Sequence, residues 1–199
     1  KLFAALIMII FFFLFWAVYE QNAGAMNLLA ERNAQMVLFG IDLPELSINN
    51  FLPPGWVIVL TLIIAPLWPW LNKRGKEPST PMKFALSFIF LGAGFLVFYL
   101  GCFVNESSGV VPLWPFLWGY FFIILGELCL SPIGLSMVTK LSPAKMVALM
   151  MGIWFFASAI GEFLAAKIGS MMSVPKEVLA KDDPVLSLPY YADVILKIG

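Results

Sequence analysis

The stretch G-E-L-C-L-S-P-I-G-L-S-M-V-T-K-L-S-P, from Gly126 to Pro143, decides how this chain is read. It belongs to a long apolar segment, Leu113 to Thr139, yet carries an acid, Glu127, close to that segment's midpoint. A carboxylate at the centre of a membrane-spanning helix costs roughly 2.5–3.5 kcal/mol on insertion scales. Residues of that kind face a bundle interior or a wet cavity and serve ion or substrate movement. One turn on come Ser131 and Pro132, then Gly134. Proline cannot donate to the carbonyl of Leu128 and crowds it, so a kink is expected just after the acid. An acid, a kink and a close-packing glycine together read as a moving helix with Pro132 as its hinge and a charge at its pivot.

The rest of the chain agrees with a membrane setting. It is 61% hydrophobic and 12% charged, with a mean hydropathy of +0.93; soluble domains carry about 25% charged residues. The formal net charge is zero, so nothing argues for a nucleic-acid partner. There is no histidine. Proton chemistry therefore falls to carboxylates, and the common histidine-based metal sites are excluded. Cys102 and Cys129 lie in different apolar segments and are expected to be two free buried thiols.

Five segments are long enough to span a bilayer: Leu2–Leu28, Phe51–Leu71, Met82–Phe103, Leu113–Thr139 and Met146–Met172. Period-2 alternation is absent, and lipid tolerates only helices or closed barrels, so the segments are predicted to be helices. Lys73, Arg74, Lys76 and Lys83 fall in one loop, and Lys140 and Lys145 in another on the same side. That Lys/Arg excess places both loops in the cytoplasm of a multi-pass protein of the cell membrane, plasma or inner. Pro66 and Pro69 are expected to kink the second helix. A lone Asn105-Glu106-Ser107 triplet reads as a chance match to a glycosylation site. Residues 1–173 form the five-span bundle. Residues 174–199 read as a loop leading into a further helix at Pro189–Ile198, cut short at Gly199. The chain starts at Lys1 and reads as a piece of a longer one.

Several further residues carry possible chemistry. Glu20, in F-W-A-V-Y-E-Q-N-A-G, is a second acid within a span. It reads either as an acid snorkelling to the nearby interface or as a cavity-facing proton carrier. Glu127 reads as a structural hydrogen-bond partner, as a counter-ion for a cationic substrate group, or as a proton carrier. Trp154 and Ser158 share one face of the fifth helix, and Trp154 reads equally as packing or as the apolar wall of a pocket. Gly152, Ala157, Gly161 and Ala165 form a small-residue stripe suited to a helix contact. Glu162 reads mainly as structural, with an auxiliary proton site as the other reading. Nothing resembles a nucleotide loop, a catalytic triad or a metal cluster, so the chain is not read as an enzyme and no cofactor is expected beyond the coupling proton.

These motifs resemble the C-terminal half of the proton-dependent oligopeptide transporters, a branch of the major facilitator superfamily. F-W-A-V-Y-E-Q-N-A-G-A-M-N-L-L-A-E-R is similar to that family's seventh helix, E-L-C-L-S-P-I-G-L-S-M-V-T-K-L-S-P to its tenth, and M-M-G-I-W-F-F-A-S-A-I-G to its eleventh. K-R-G-K-E-P-S-T-P-M-K-F-A fits the connection between its eighth and ninth helices. The resemblance implies an all-α integral membrane bundle equivalent to helices seven to eleven with the lead into twelve. It implies that Glu127 meets the peptide's amino terminus, that Glu20 couples to protons, and that Trp154 and Ser158, with Ser131, line the pocket. Two positions depart from the pattern. Val57 stands where an asparagine is common in the eighth helix, and Glu162 where a neutral residue is common. The function expected is proton-coupled symport of di- and tripeptides, with half the pocket supplied by an N-terminal bundle of the same transporter. Transport of another small zwitterion or anion, and a membrane binding or sensing protein without turnover, are the alternatives.

Overall fold

A computed structural model describes residues 2–22, 24–35, 37–38, 41–42, 45–171, 174–179 and 183–199. The helices are α1 (Leu2–Tyr19), α2 (Ala25–Asn33), α3 (Glu45–Lys73), α4 (Thr80–Val104), α5 (Leu113–Leu141), α6 (Val147–Met171), the short α7 (Lys176–Leu179) and α8 (Pro184–Ile198). Among the described residues, five helical stretches are long and apolar enough to cross a membrane, one of them Ala5–Asn33, which takes in both α1 and α2. Two two-residue strands, β1 (Val37–Leu38) and β2 (Ile41–Asp42), pair antiparallel in the connection from α2 to α3. They leave the architecture all-helical. The boundary expected at residue 173 abuts residues 172–173, which lie outside the described residues.

Three expected helix boundaries need correction. The second helix, expected from Phe51, begins at Glu45. The first span is not one helix from Leu2 to Leu28. It stops at Tyr19, passes through a 3₁₀ turn at Glu20–Asn22, and restarts as α2. The cause is the polar run Glu20-Gln21-Asn22 followed closely by Gly24, which supplies side-chain partners for the freed backbone groups. Gln21 is buried, and its amide nitrogen donates to the carbonyl of Ala17 at 3.3 Å and to that of Ala165 on α6 at 2.9 Å. A broken helix is tolerated at membrane depth where neighbouring groups re-satisfy the backbone in this way. The last helix, expected from Pro189, begins at Pro184. Asp183 caps it by accepting from the Val185 N–H at 2.9 Å, and Pro184 takes a first-turn position where its missing N–H is harmless.

The helices associate without a hydrophobic driving force between them, so close packing decides the arrangement. Antiparallel α4 and α5 meet along glycines spaced seven apart on each helix: Gly94 and Gly101 on α4, Gly119 and Gly126 on α5. A methyl group at Gly94 would lie 2.9 Å from the Gly119 carbonyl oxygen and 2.5 Å from Ile123. One at Gly126 would lie 2.7 Å from the Ser87 carbonyl oxygen. Parallel α1 and α6 meet through Gly161, where an added methyl would stand 3.0 Å from the Phe13 carbonyl oxygen, and through buried Ala157 and Ala165. Gly152, expected in the same stripe, faces open space.

At the end remote from the basic loops, one asparagine ties three segments. Asn33, 2% exposed, donates from its amide to the carbonyls of Gly109 and Pro184, both at 2.8 Å, and accepts from the Ser187 hydroxyl at 3.1 Å. Its own carbonyl accepts from the Val111 N–H at 2.6 Å. Gly109 adopts φ +71° with the Pro184–Val185 backbone pressed against it, so a side chain there is excluded both by conformation and by space. At the basic end, Lys83 is buried, paired with Glu77 at 2.5 Å and seated 4.5 Å from the Trp68 ring centroid.

Two stability measurements follow. Asn33→Ala takes its donor from the buried Gly109 carbonyl, while the Pro184 carbonyl and Ser187 hydroxyl keep only their bond to each other at 3.2 Å; it is expected to cost about 1–3 kcal/mol, read as a lower melting temperature in detergent. Gly94→Ala must push backbone apart and is expected to cost about 1–3 kcal/mol, while Gly152→Ala leaves the melting temperature within experimental scatter. Equal effects of the two glycine substitutions would contradict the packing described.

Candidate substrate and proton site

The acid that made the tenth-helix-like stretch conspicuous finds its partner on α1. The Tyr19 hydroxyl donates to Glu127 Oε2 at 2.6 Å across the α1–α5 contact. That length suits an O–H donor on a carboxylate. Both side chains are half-buried. The Tyr19 ring is itself held by Phe15, stacked at 5.7 Å, and by Trp16, edge-on at 5.0 Å. In the sequence Tyr19 stands only as part of the F-W-A-V-Y-E-Q run; its partner is 108 residues away, and no local signal announces the pair.

Glu20 follows Tyr19 directly but faces elsewhere. It occupies the 3₁₀ turn at the end of α1 and lines a cavity of about 510 Å³. Gln21, Leu28, Glu162, Ala165, Tyr191 and Val194 contribute to the same walls, so the cavity lies among the 3₁₀ turn, α2, α6 and α8. Glu162, five residues before Lys167 on α6, therefore shares a space with Glu20. The ionisable groups that act most on Glu20 are Glu162 and Glu127, both acids. The chain thus sets three carboxylates around the broken end of α1, two in the cavity and one held by Tyr19.

Trp154 is 3% exposed, enclosed where α1, α5 and α6 meet. Its ring stacks on Phe12 at 3.6 Å between centroids, and its far edge fills the space over Gly134, where an added methyl would have no room. Trp154 does not line the cavity. Ser158, one turn on, is only partly covered, and its hydroxyl donates to the Phe155 carbonyl at 2.8 Å. The Ser131 hydroxyl, one turn beyond Glu127, is enclosed and has no hydrogen-bond partner among the described residues. Pro132 sits inside α5, with helix on both sides of it. Val57 lies partly covered on α3. Cys102 and Cys129 are buried and free. Among the described residues no group of acids or cysteines is arranged to hold a metal ion.

Comparison with known proteins bears on this arrangement. The family model described as the POT family matches residues 1–185. The chain is 32% identical over 199 residues to dipeptide and tripeptide permease B of Salmonella typhimurium, covering all of this chain and 40% of that protein. Its fold superimposes on tetrameric PepTSo2 with a TM-score of 0.78 at 28% identity, covering 100% of this chain and 39% of that one. It also superimposes on a POT family transporter in complex with a thioalcohol-conjugated peptide, with a TM-score of 0.71 at 26% identity, covering 98% and 39%. The chain therefore spans about 40% of the length of such relatives. The helical bundle is that of the major facilitator superfamily's C-terminal half, as the tenth-helix-like stretch implied. With the family model matched across nearly its whole length and the fold shared with solved members, the chain belongs to the POT family.

Proposed function

We propose that this chain supplies the C-terminal half of a proton-coupled symporter of di- and tripeptides. The observation that carries the reading is the Glu127–Tyr19 pair beside the broken end of α1. A half-buried carboxylate with one oxygen anchored keeps the other free for a peptide's ammonium group. The relatives named as dipeptide and tripeptide permeases, and the family member solved with a peptide conjugate, support that substrate class. The other half of the pocket comes from an N-terminal bundle of the same transporter, because such sites form at the interface between halves. The protein is read as working in the plasma or inner membrane, with its basic loops in the cytoplasm.

Each site residue takes a role in this proposal. Glu127 binds the ammonium. Glu20 carries the coupling proton; protonation there removes one of three like charges clustered at the helix break and favours closing the helix end around substrate. Glu162 shares the cavity and serves as an auxiliary acid that exchanges the proton with Glu20. Ser131 offers an enclosed, unpartnered hydroxyl to the peptide backbone. Trp154 fixes the spacing of α1 and α5 beneath the site, and Ser158 lies beside it on the next turn. Pro132 frees the Leu128 carbonyl and lets α5 hinge. Val57 in place of an asparagine favours one second reading, a related carrier of another small zwitterion. A competition screen with amino acids, peptides and small anions separates the two.

The test uses the full-length parent in liposomes. Glu127→Gln is expected to weaken dialanine affinity at least tenfold. Glu20→Gln is expected to abolish the response to a proton gradient while leaving peptide exchange within about threefold of wild type; those fold-changes correspond to about 1.4 kcal/mol per factor of ten. Glu162→Gln is expected to slow gradient-driven uptake severalfold without changing affinity. Wild-type affinity in Glu127→Gln, or full gradient response in Glu20→Gln, would overturn the assignment of that residue.

A further inference from the structure

We propose that Tyr19 is a positioning residue for substrate capture, orienting Glu127 toward the ammonium and tying its occupancy to the helix break that carries Glu20. The inference rests on the peptide-transport reading and deepens it. Three observations combine. The Tyr19 hydroxyl is on Glu127 Oε2 at 2.6 Å. The ring is held by Phe15 and Trp16 on its own helix, so the hydroxyl has little freedom to look elsewhere. Tyr19 is the last residue of α1, and Glu20 is the first of the 3₁₀ turn.

The geometry divides the labour on the carboxylate. A carboxylate has two oxygens and about four acceptor positions. Tyr19 engages Oε2, which fixes the plane of the group and leaves Oε1 for an incoming ammonium. A carboxyl group lacking that anchor would rotate and would pay to be ordered when substrate arrives. Tyr19 also carries the consequence of binding onward. Substrate drawing Glu127 away pulls on a phenol at the very end of α1, where no further i→i+4 ladder restrains it. The charged and titratable groups around the phenol are Glu127, Glu20 and Tyr120. Of these, only Glu127 accepts its proton in a hydrogen bond among the described residues.

The experiment is a double-mutant cycle in the full-length parent, reconstituted and assayed for uptake of labelled dialanine. Tyr19→Phe removes one hydroxyl and keeps the ring stack. Its KM is expected to rise about tenfold with Vmax within twofold of wild type. Inhibition by N-acetyl-dialanine, which lacks the ammonium, is expected to be unchanged. Glu127→Asp keeps the charge but shortens the reach to Tyr19, and is expected to match Tyr19→Phe. Adding Tyr19→Phe to Glu127→Asp or to Glu127→Gln is expected to cause no further loss. Additive losses, or equal weakening of N-acetyl-dialanine, mean that Tyr19 acts as ordinary packing and overturn the proposal. A rise in KM for Glu127→Gln with wild-type kinetics in Tyr19→Phe overturns the role of Tyr19 alone. Wild-type KM in Glu127→Gln overturns both this proposal and the reading beneath it. Should Tyr19→Phe not give monodisperse protein, the Glu127→Asp comparison between dialanine and its N-acetyl form decides the matter by itself.

Discussion

A carboxylate held at membrane depth needs a partner, and the arrangement of this chain depends on how Glu127 gets one. Water is absent from the hydrocarbon region, and an unpaired acid there is costly. The partner is a phenol on α1, which donates one strong bond without adding a positive charge. A lysine or arginine in its place would neutralise the acid and leave nothing for a cationic ligand. A tyrosine satisfies one oxygen and leaves the charge itself available. The choice of partner thus connects the packing of α1 on α5 with what the site can bind.

That bond requires α1, α5 and α6 to meet at a fixed distance, and the seams between helices provide it. Trp154 fills the space that Gly134 leaves empty and stacks on Phe12, so three helices register on one indole. Gly161 lets α6 approach the backbone of α1, and the seven-spaced glycines of α4 and α5 bring those helices into direct contact. At one end, Asn33 holds α2, the loop before α5 and the start of α8 together. At the other, buried Lys83 is satisfied by Glu77 and Trp68. Between these two fastened ends lies the break at Glu20–Asn22, tied to α1 and α6 by Gln21.

Much of this was legible in the residues, and what was not has physical causes. Span positions follow from apolarity alone, and the ends of α4, α5 and α6 fall within two residues of their expected places. The break in the first span was hidden because Ala17, Val18 and Met26 keep the segment apolar; the run Glu20-Gln21-Asn22 with Gly24 was the available signal. The early start of α8 was signalled by Asp183-Pro184, a cap followed by a first-turn proline. The α4–α5 seam was readable from the seven-residue spacing of Gly94 with Gly101 and of Gly119 with Gly126, whereas the stripe noticed on α6 extended one glycine too far, to Gly152. The acids stood out because charge is rare in such a chain. Their partners did not: the Tyr19–Glu127 bond, the shared cavity of Glu20 and Glu162, and the three-way role of Asn33 all join residues far apart in sequence. Trp154 shows the same limit, since only the packing around it separates a core position from an open wall.

The measurement that bears most directly on this account is gradient-driven accumulation of labelled dialanine by the full-length parent in liposomes. The account predicts that an inward proton gradient raises internal dialanine above the external concentration, and that collapsing the gradient with an uncoupler returns it to equilibrium. Uptake that never exceeds equilibrium, or that ignores the uncoupler, would contradict proton-coupled peptide transport by the protein to which this half belongs.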